Sequence, residues 1–190
     1  LMTVHALQSI VFNKSLQRRL ENHMPIARPV VGDIVGRVDE KGQLDVNSCV
    51  VVQDRTLSRI GRNCDLNRLT ITGPLPGSEI TTSEGEPGKL EQETIDSENL
   101  ADVSWHVEAI PRLSTKGTRR GLVAAFNDFS VETVPKVEPE LLGKRWEKGP
   151  SGDDRWHPDG ACLRFRFTLG SGSYATVLLR EFMKGPLANM

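Results

Sequence analysis

The chain has 190 residues, a net charge of −1, 37% hydrophobic and 26% charged residues, and only 5% aromatics. That is apolar material for one ordinary domain, or for one and a half small ones, under a well-solvated surface. The longest apolar run, Leu122 to Phe126, is far too short to cross a bilayer, and His5, Gln8, Ser9 and Asn13 interrupt the N-terminal stretch where a signal peptide would need an apolar run.

Val4 to about Glu21 lacks Gly and Pro and predicts a helix that ends before the breaker at Asn22–Pro25. Its apolar residues fall in two stripes, Val4, Leu7, Val11 and Phe12, Leu16, Leu20, so the helix packs on more than one side. Lys14, Arg18 and Arg19 are then expected on its more exposed C-terminal half. From Pro29 to Thr72 the pattern turns to β. Ile34–Val38 and Leu44–Val46 flank Asp39-Glu40-Lys41-Gly42 as a hairpin, and Val50–Val52 and Leu69–Thr72 add short strands. Gly73-Pro74-Leu75-Pro76-Gly77 is expected to stop the last strand, because prolines lack a ladder donor.

Residues 78–99 are polar and acidic, predicting a loop with a short helix around Lys89–Ile95. Leu122–Phe126 and Phe129–Val134 predict two strands, and 135–160 a long connection that holds Trp146 and Trp156. The clearest strand is Cys162–Leu169: Leu163, Phe165, Phe167 and Leu169 face one way, Arg164, Arg166 and Thr168 the other. Gly170-Ser171-Gly172 follows, and Ser173 caps a helix from Tyr174 to about Lys184. Strands outnumber helices and do not alternate with them. The class is α+β, a largely antiparallel sheet with packed helices.

Cys49, Cys64 and Cys162 are odd in number and far apart, which points to reduced thiols in a cytoplasmic protein rather than a disulfide framework. Histidines 5, 23, 106 and 157 form no HxxxH, and no CxxC is present, so a zinc site is not expected. Charge is uneven. Residues 79–110 carry nine acids against one base, Lys89, and the remainder of the chain is net basic by +7. A basic body with an acidic excursion suits an RNA binder, although a charge run is equally a solvated loop.

Several segments offer chemistry. Lys116, Arg119 and Arg120 make a compact basic turn suited to phosphate, or else an exposed surface loop. Arg164 and Arg166 share one strand face, which lines an RNA groove or is simply solvated. The glycines before Ser173 and Tyr174 put exposed N–H groups at a helix start, an anion-binding arrangement that ordinary strand-turn-helix links also show. Asn13, beside Phe12, is an unfavourable mid-helix residue, rewarded by function or by a buried hydrogen bond to a strand. Trp105, Trp146 and Trp156 fit packing anchors better than base stackers.

Three stretches together resemble one family in that family's order. His5-Ala6-Leu7-Gln8-Ser9-Ile10-Val11-Phe12-Asn13, followed by Arg18-Arg19, is similar to the "A-x-Q-S-x-x-F-N" helix of archaeal and eukaryotic TruD-type pseudouridine synthases. Gly32-Asp33, Thr72-Gly73-Pro74-Leu75-Pro76-Gly77 and Gly117-Thr118-Arg119-Arg120 resemble the family's "G-D", "T-G-P-L-x-G" and "G-x-R-R" markers. Leu169 and Gly172-Ser173-Tyr174-Ala175-Thr176-Val177-Leu178-Leu179-Arg180-Glu181 resemble its "G-S-Y-A-T-x-x-L-R-E" signature, the most specific of the three.

The resemblance implies an enzyme that detaches uracil from its ribose, rotates it and rejoins it through carbon, using one aspartate and no cofactor or metal. The expected substrate is tRNA. The family's aspartate sits in a "G-x-K-D-x-x-A-x-T" motif upstream of the helix, and these 190 residues contain no such motif. Asp54-Arg55 lacks the preceding glycine and lysine and falls in the wrong order. The chain is therefore expected to be inactive alone, with Phe12, Asn13, Gly172, Ser173, Tyr174 and Arg180 as neighbours of the active cleft. Residues 1–24 are expected to link the catalytic part to an inserted TRUD domain at about 25–115, with 116–190 returning to the catalytic domain. The competing expectations are a non-catalytic RNA-binding module on the same scaffold and a small interaction protein. Half a sheet left uncovered further predicts marginal stability or association.

Overall fold

The apolar and glycine-rich segments between Val4 and Ala125 collapse around one sheet in the computed structural model, which describes residues 2–134, 162–170 and 173–183. The chain divides into two compact units, Leu1–Ala125 and Phe126–Met190. Helix and antiparallel sheet are mixed in the α+β manner expected, and no helix among the described residues is long and apolar enough to cross a membrane.

In the first unit, helix α1 (Met2–Glu21) precedes strands β1 (Ile34–Val38) and β2 (Leu44–Val51), helix α2 (Asp54–Asp65) and strand β3 (Leu69–Leu75). Helix α3 (Gly85–Ser97), a 3-10 turn (Pro111–Leu113) and strand β4 (Thr118–Gly121) complete it. The sheet runs β2-β1-β3-β4, every pair antiparallel. The hairpin turn forms where predicted. Asp39 Oδ1 accepts from the Lys41 and Gln43 N–H groups at 2.9 and 2.8 Å, and Gly42 takes a left-handed φ of 74°. Val35, Val52, Ile60, Cys64 and Ile71 form the core, with Leu57, Leu69 and Leu122 packed at its margin.

Four expectations are corrected. The prolines do not end β3, which runs on to Leu75. Residues 69–71 pair with β1 and 72–75 with β4, so Pro74 sits where the strand has one neighbour, and its missing donor costs no second ladder. The predicted basic turn at Arg119-Arg120 is strand β4, and the predicted strand at Leu122–Phe126 is irregular through Ala125, with the next strand starting at Phe126. Helix α2 was hidden in an apparent β region because only Leu57, Ile60 and Cys64 carry its apolar stripe. Helix α3 contains the short helix expected around Lys89–Ile95 and extends it at both ends, to Gly85 and Ser97. Its first turn holds Gly85, Pro87 and Gly88, which look like a breaker. Pro87 is tolerated there because its position, third in the helix, has no intrahelical acceptor to lose, and the Gly88 N–H makes the first bond, to the Glu84 carbonyl at 3.2 Å.

In the second unit, β5 (Phe126–Val134) and β6 (Cys162–Leu169) pair antiparallel and α4 (Ala175–Met183) follows. Phe129 stacks on Phe182 at 5.1 Å, and Phe165 lies 5.3 Å from the same ring, so α4 packs on the hairpin through its aromatics. The predicted alternation of β6 holds from Arg164 on: Phe165, Phe167 and Leu169 are half-buried and Arg164, Arg166 and Thr168 exposed, but Leu163, expected on the apolar face, is exposed too. The Tyr174 carbonyl accepts the Val177 N–H at 3.1 Å, so α4 begins one residue later than the Ser173 cap implied. Trp146 and Trp156 lie outside the described residues.

Candidate functional site

The motif residues of α1 face the rest of their unit through one stripe. Gln8, Val11, Phe12, Ser15 and Arg19 are all buried, at the three- and four-residue spacing of a single helix face. Three of the five are polar, which accounts for the poor match to the two apolar stripes predicted. Arg19 was expected to be exposed. It is instead buried, and its guanidinium grips Asp33 through two parallel bonds of 2.6 and 2.8 Å while Nε donates to the Pro25 carbonyl. The "G-D" marker thus has a partner on the helix. Gly32 (φ 93°) precedes it with its Cα against the Glu84 carbonyl, space that a side chain would occupy.

Gln8 ties α1 to the glycine-proline segment. Its Nε2 donates to the Pro76 carbonyl at 2.9 Å and to Thr115 Oγ1 at 3.2 Å. Beyond Leu75, Gly77 and Gly117 lie with their backbones in contact, and a methyl group on Gly77 would collide with Gly117. Close backbone approach is what both glycines supply.

Arg119 is not available for the phosphate contact expected of it. Strand alternation turns it inward, and its guanidinium is fully engaged. Nε donates to Thr72 Oγ1 (2.8 Å), Nη2 to the Thr72 carbonyl (2.8 Å) and to Glu91 Oε1 (2.5 Å), and Nη1 to the Thr81 carbonyl (2.8 Å). Ser83 joins the same network, donating its Oγ to Glu91 Oε1 at 2.8 Å. Arg120 points to the opposite face and lies 5.1 Å from the Phe12 ring centroid, a cation–π pair. Phe12 is buried there and also walls Gly73. Asn13, by contrast, is exposed, which removes the predicted buried hydrogen bond to a strand.

The acidic stretch is not a free solvated loop. Glu98 pairs with Lys14 (2.5 Å), Glu93 with Arg18 (3.7 Å), Glu79 with Lys116 (3.1 Å) and Glu91 with Arg119, so α3 and its flanks neutralise bases of the body. A cleft among α1, β3 and α3, lined by Ser15, Leu16, Arg19, Gly73, Leu90 and Glu91, offers about 20 Å³. That is room for one water and not for a nucleobase.

In the second unit, Arg164 and Arg166 both reach Glu132 Oε1, at 3.0 and 3.2 Å, so one carboxylate offsets two guanidinium groups. Tyr174 is exposed and Arg180 half-buried on α4, Ser173 is half-buried, and Gly172 lies outside the described residues. Burial pushes the Cys49 and Cys64 thiols above their ordinary range. Among the described residues no group of three or more His, Cys, Asp or Glu could hold a metal ion.

Gln8, Asp33 and Thr72 stand in the sequence as markers without visible partners, and nothing in the sequence sets Glu91 apart from the other acids of its stretch. The position of Gln8 one turn before Val11 and Phe12, in register with the apolar residues of the buried face, was the available signal. Glu91 left none, because its partner arrives from β4.

The result is an α+β unit in which separated glycine, proline and arginine markers lock onto one helix. The family model described as tRNA pseudouridine synthase D (TruD) matches residues 1–182. A Methanosarcina mazei protein named probable tRNA pseudouridine synthase D is 34% identical over 183 residues, covering 96% of this chain and 37% of its own length. A Natronomonas pharaonis protein of the same name is 31% identical, covering 96% and 35%. A crystal structure under the TruD name, also from Methanosarcina mazei, superposes with a TM-score of 0.74 at 31% identity, covering 98% of this chain and 38% of that one. The chain belongs to the TruD family. It spans little more than a third of the length of the relatives it matches.

Proposed function

We propose that these residues carry the part of a tRNA uridine isomerase that follows its catalytic aspartate motif, and that they do not catalyse the reaction alone. The observation that supports this is the family match over residues 1–182 in a chain that holds no "G-x-K-D" sequence. Residues 25–115 then correspond to the inserted TRUD part and 116–190 to the returning catalytic part. In that reading Tyr174, just before α4, and Arg180 on α4 stand near the cleft, and Arg180 pairs with the aspartate, favouring its ionised, nucleophilic form. The uracil leaves its ribose, turns, and rejoins through carbon, with no cofactor needed.

The test is a tRNA pseudouridylation assay on the chain alone and on the chain preceded by the aspartate-bearing segment of a relative. Pseudouridine is expected only in the second. Formation by the 190 residues alone overturns the reading. Tight tRNA binding with no activity in either form favours the second reading, a non-catalytic RNA-binding module, for which the basic body of the chain speaks.

A further inference from the structure

The arginines of this chain are not treated alike. Among the exposed or half-exposed ones, Arg18 pairs with Glu93, Arg28 with Asp65, Arg37 with Asp45, and Arg164 and Arg166 with Glu132, while Arg112 stands singly on the 3-10 turn with no ion pair among the described residues. On helix α2 the pattern breaks. Arg55, Arg59 and Arg62 are exposed and make no ion pair among the described residues; Arg55 donates only to the neutral Gln53 side chain, at 2.9 Å. Arg68, just past the helix, is likewise exposed and unpaired.

The three helical arginines are spaced four and three residues apart, so they fall within about 60° of one another around the axis. Leu57, Ile60 and Cys64, which pack into the core, occupy the opposite side. The arginine stripe therefore faces away from the protein body, while the helix's only acids, Asp54 and Asp65, stand at its ends. The acidic stretch could have covered this charge. It goes instead to α1 and β4, where it pairs with Lys14, Arg18, Lys116 and Arg119. Three unpaired arginines clustered on one helix face, with the acidic stretch engaged elsewhere, select that face for an anionic partner. A solvated helix face would be expected to mix lysine with acids at i, i+4, and this stripe holds arginine alone.

We infer that the outer face of α2, through Arg55, Arg59 and Arg62 with Arg68 beside it, is a phosphate-contacting surface for the RNA backbone. This rests on the reading of the protein as one that acts on tRNA. Guanidinium forks bridge phosphate oxygens without reading bases, so the face fixes position rather than sequence.

The test compares the chain with its Arg55→Gln/Arg59→Gln/Arg62→Gln variant in tRNA binding across a salt series. Glutamine keeps the helix propensity of arginine, and circular dichroism with a urea midpoint verifies that the variant is folded. The expected result is a loss of about tenfold or more in affinity at low salt, and a log K against log salt slope shallower by about two to three. The comparison variant is Arg37→Gln, which removes an exposed but carboxylate-paired charge. Unchanged affinity and slope in the folded triple variant, with the parent binding normally, overturn the inference and leave the tRNA reading standing. A loss per charge no larger than that of Arg37→Gln also overturns it, as a general effect of net charge. Loss of binding to polyglutamate with tRNA binding intact assigns the face to an acidic protein and overturns it too. A parent chain that binds no tRNA at low salt overturns both.

Discussion

Arg119 and Glu91, 28 residues apart in sequence, meet with Nη2 and Oε1 at 2.5 Å, their side chains only 4% and 11% exposed. A buried pair of this kind adds little over an apolar substitute, but leaving one member alone is costly. Arg119→Ala and Glu91→Ala are each expected to lower unfolding stability by about 3–5 kcal/mol, and the double variant by much less than the sum. Arg119→Lys does not rescue, because an ammonium cannot span Thr72, Thr81 and Glu91 at once. Arg164→Ala, in an exposed pair, is expected to cost under about 1 kcal/mol. Urea midpoints on the five variants decide the ranking, and equal costs for Arg119→Ala and Arg164→Ala would refute it.

Two glycines should respond in opposite directions. Gly32, at φ 93° against the Glu84 carbonyl, has neither the conformation nor the space for a side chain, and Gly32→Ala is expected to cost about 1–3 kcal/mol. Gly61 lies inside α2 with nothing within 4 Å of an added methyl. Gly61→Ala is expected to stabilise by about 0.5–1 kcal/mol, through helix propensity and a less free unfolded chain. Thermal unfolding of the two variants side by side measures both signs.

Replacing Gln8 by leucine keeps the volume of the α1 stripe but leaves the Pro76 carbonyl without its donor. The expected loss is about 1–3 kcal/mol, the penalty for a buried unsatisfied acceptor. Hydrogen exchange at Gly117, whose N–H donates to Thr115 Oγ1 at 3.2 Å, should quicken in the same variant. Unchanged exchange there would show that Gln8 does not hold this junction.

Burial raises both described thiols, so at pH 8 each holds less thiolate than a free cysteine. Iodoacetamide is expected to label Cys49, which is half-buried, slowly, and Cys64, which is buried, more slowly still, the two rates converging in urea. The sign for stability follows. The raised folded value means the protonated thiols favour the fold below the ordinary value of 9.0, and that contribution fades as pH climbs above it. Peptide mass spectrometry of alkylated chain reads the rates, and faster labelling of Cys64 than Cys49 would contradict the burial order.

Much of the frame could be read before folding. The first helix, the hairpin at Asp39–Gly42 and the alternation of Cys162–Leu169 all rest on local patterns, and each element formed. Helices α2 and α3 could not be read so well. Their apolar stripes are thin, and the first turn of α3 carries glycine and proline, so tertiary packing on the core and on α1 had to decide them.

The candidate site divides in the same way. Sequence alone determined the family, because the ordered markers and the Gly172–Glu181 signature are strings of residue types that need no coordinates. It also determined that arginine, glycine and proline were the residues to watch. Only the tertiary structure decided what they do. Arg119 and Arg120 are neighbours with the same side chain, yet strand pairing turns one into a buried hub and lays the other on Phe12. Charge that looked available at Arg119 is consumed by Glu91, while the charge of Arg55, Arg59 and Arg62 stays in solvent. The reason is physical: a side chain's charge is local, but its burial and its partner come from chain segments far away in sequence.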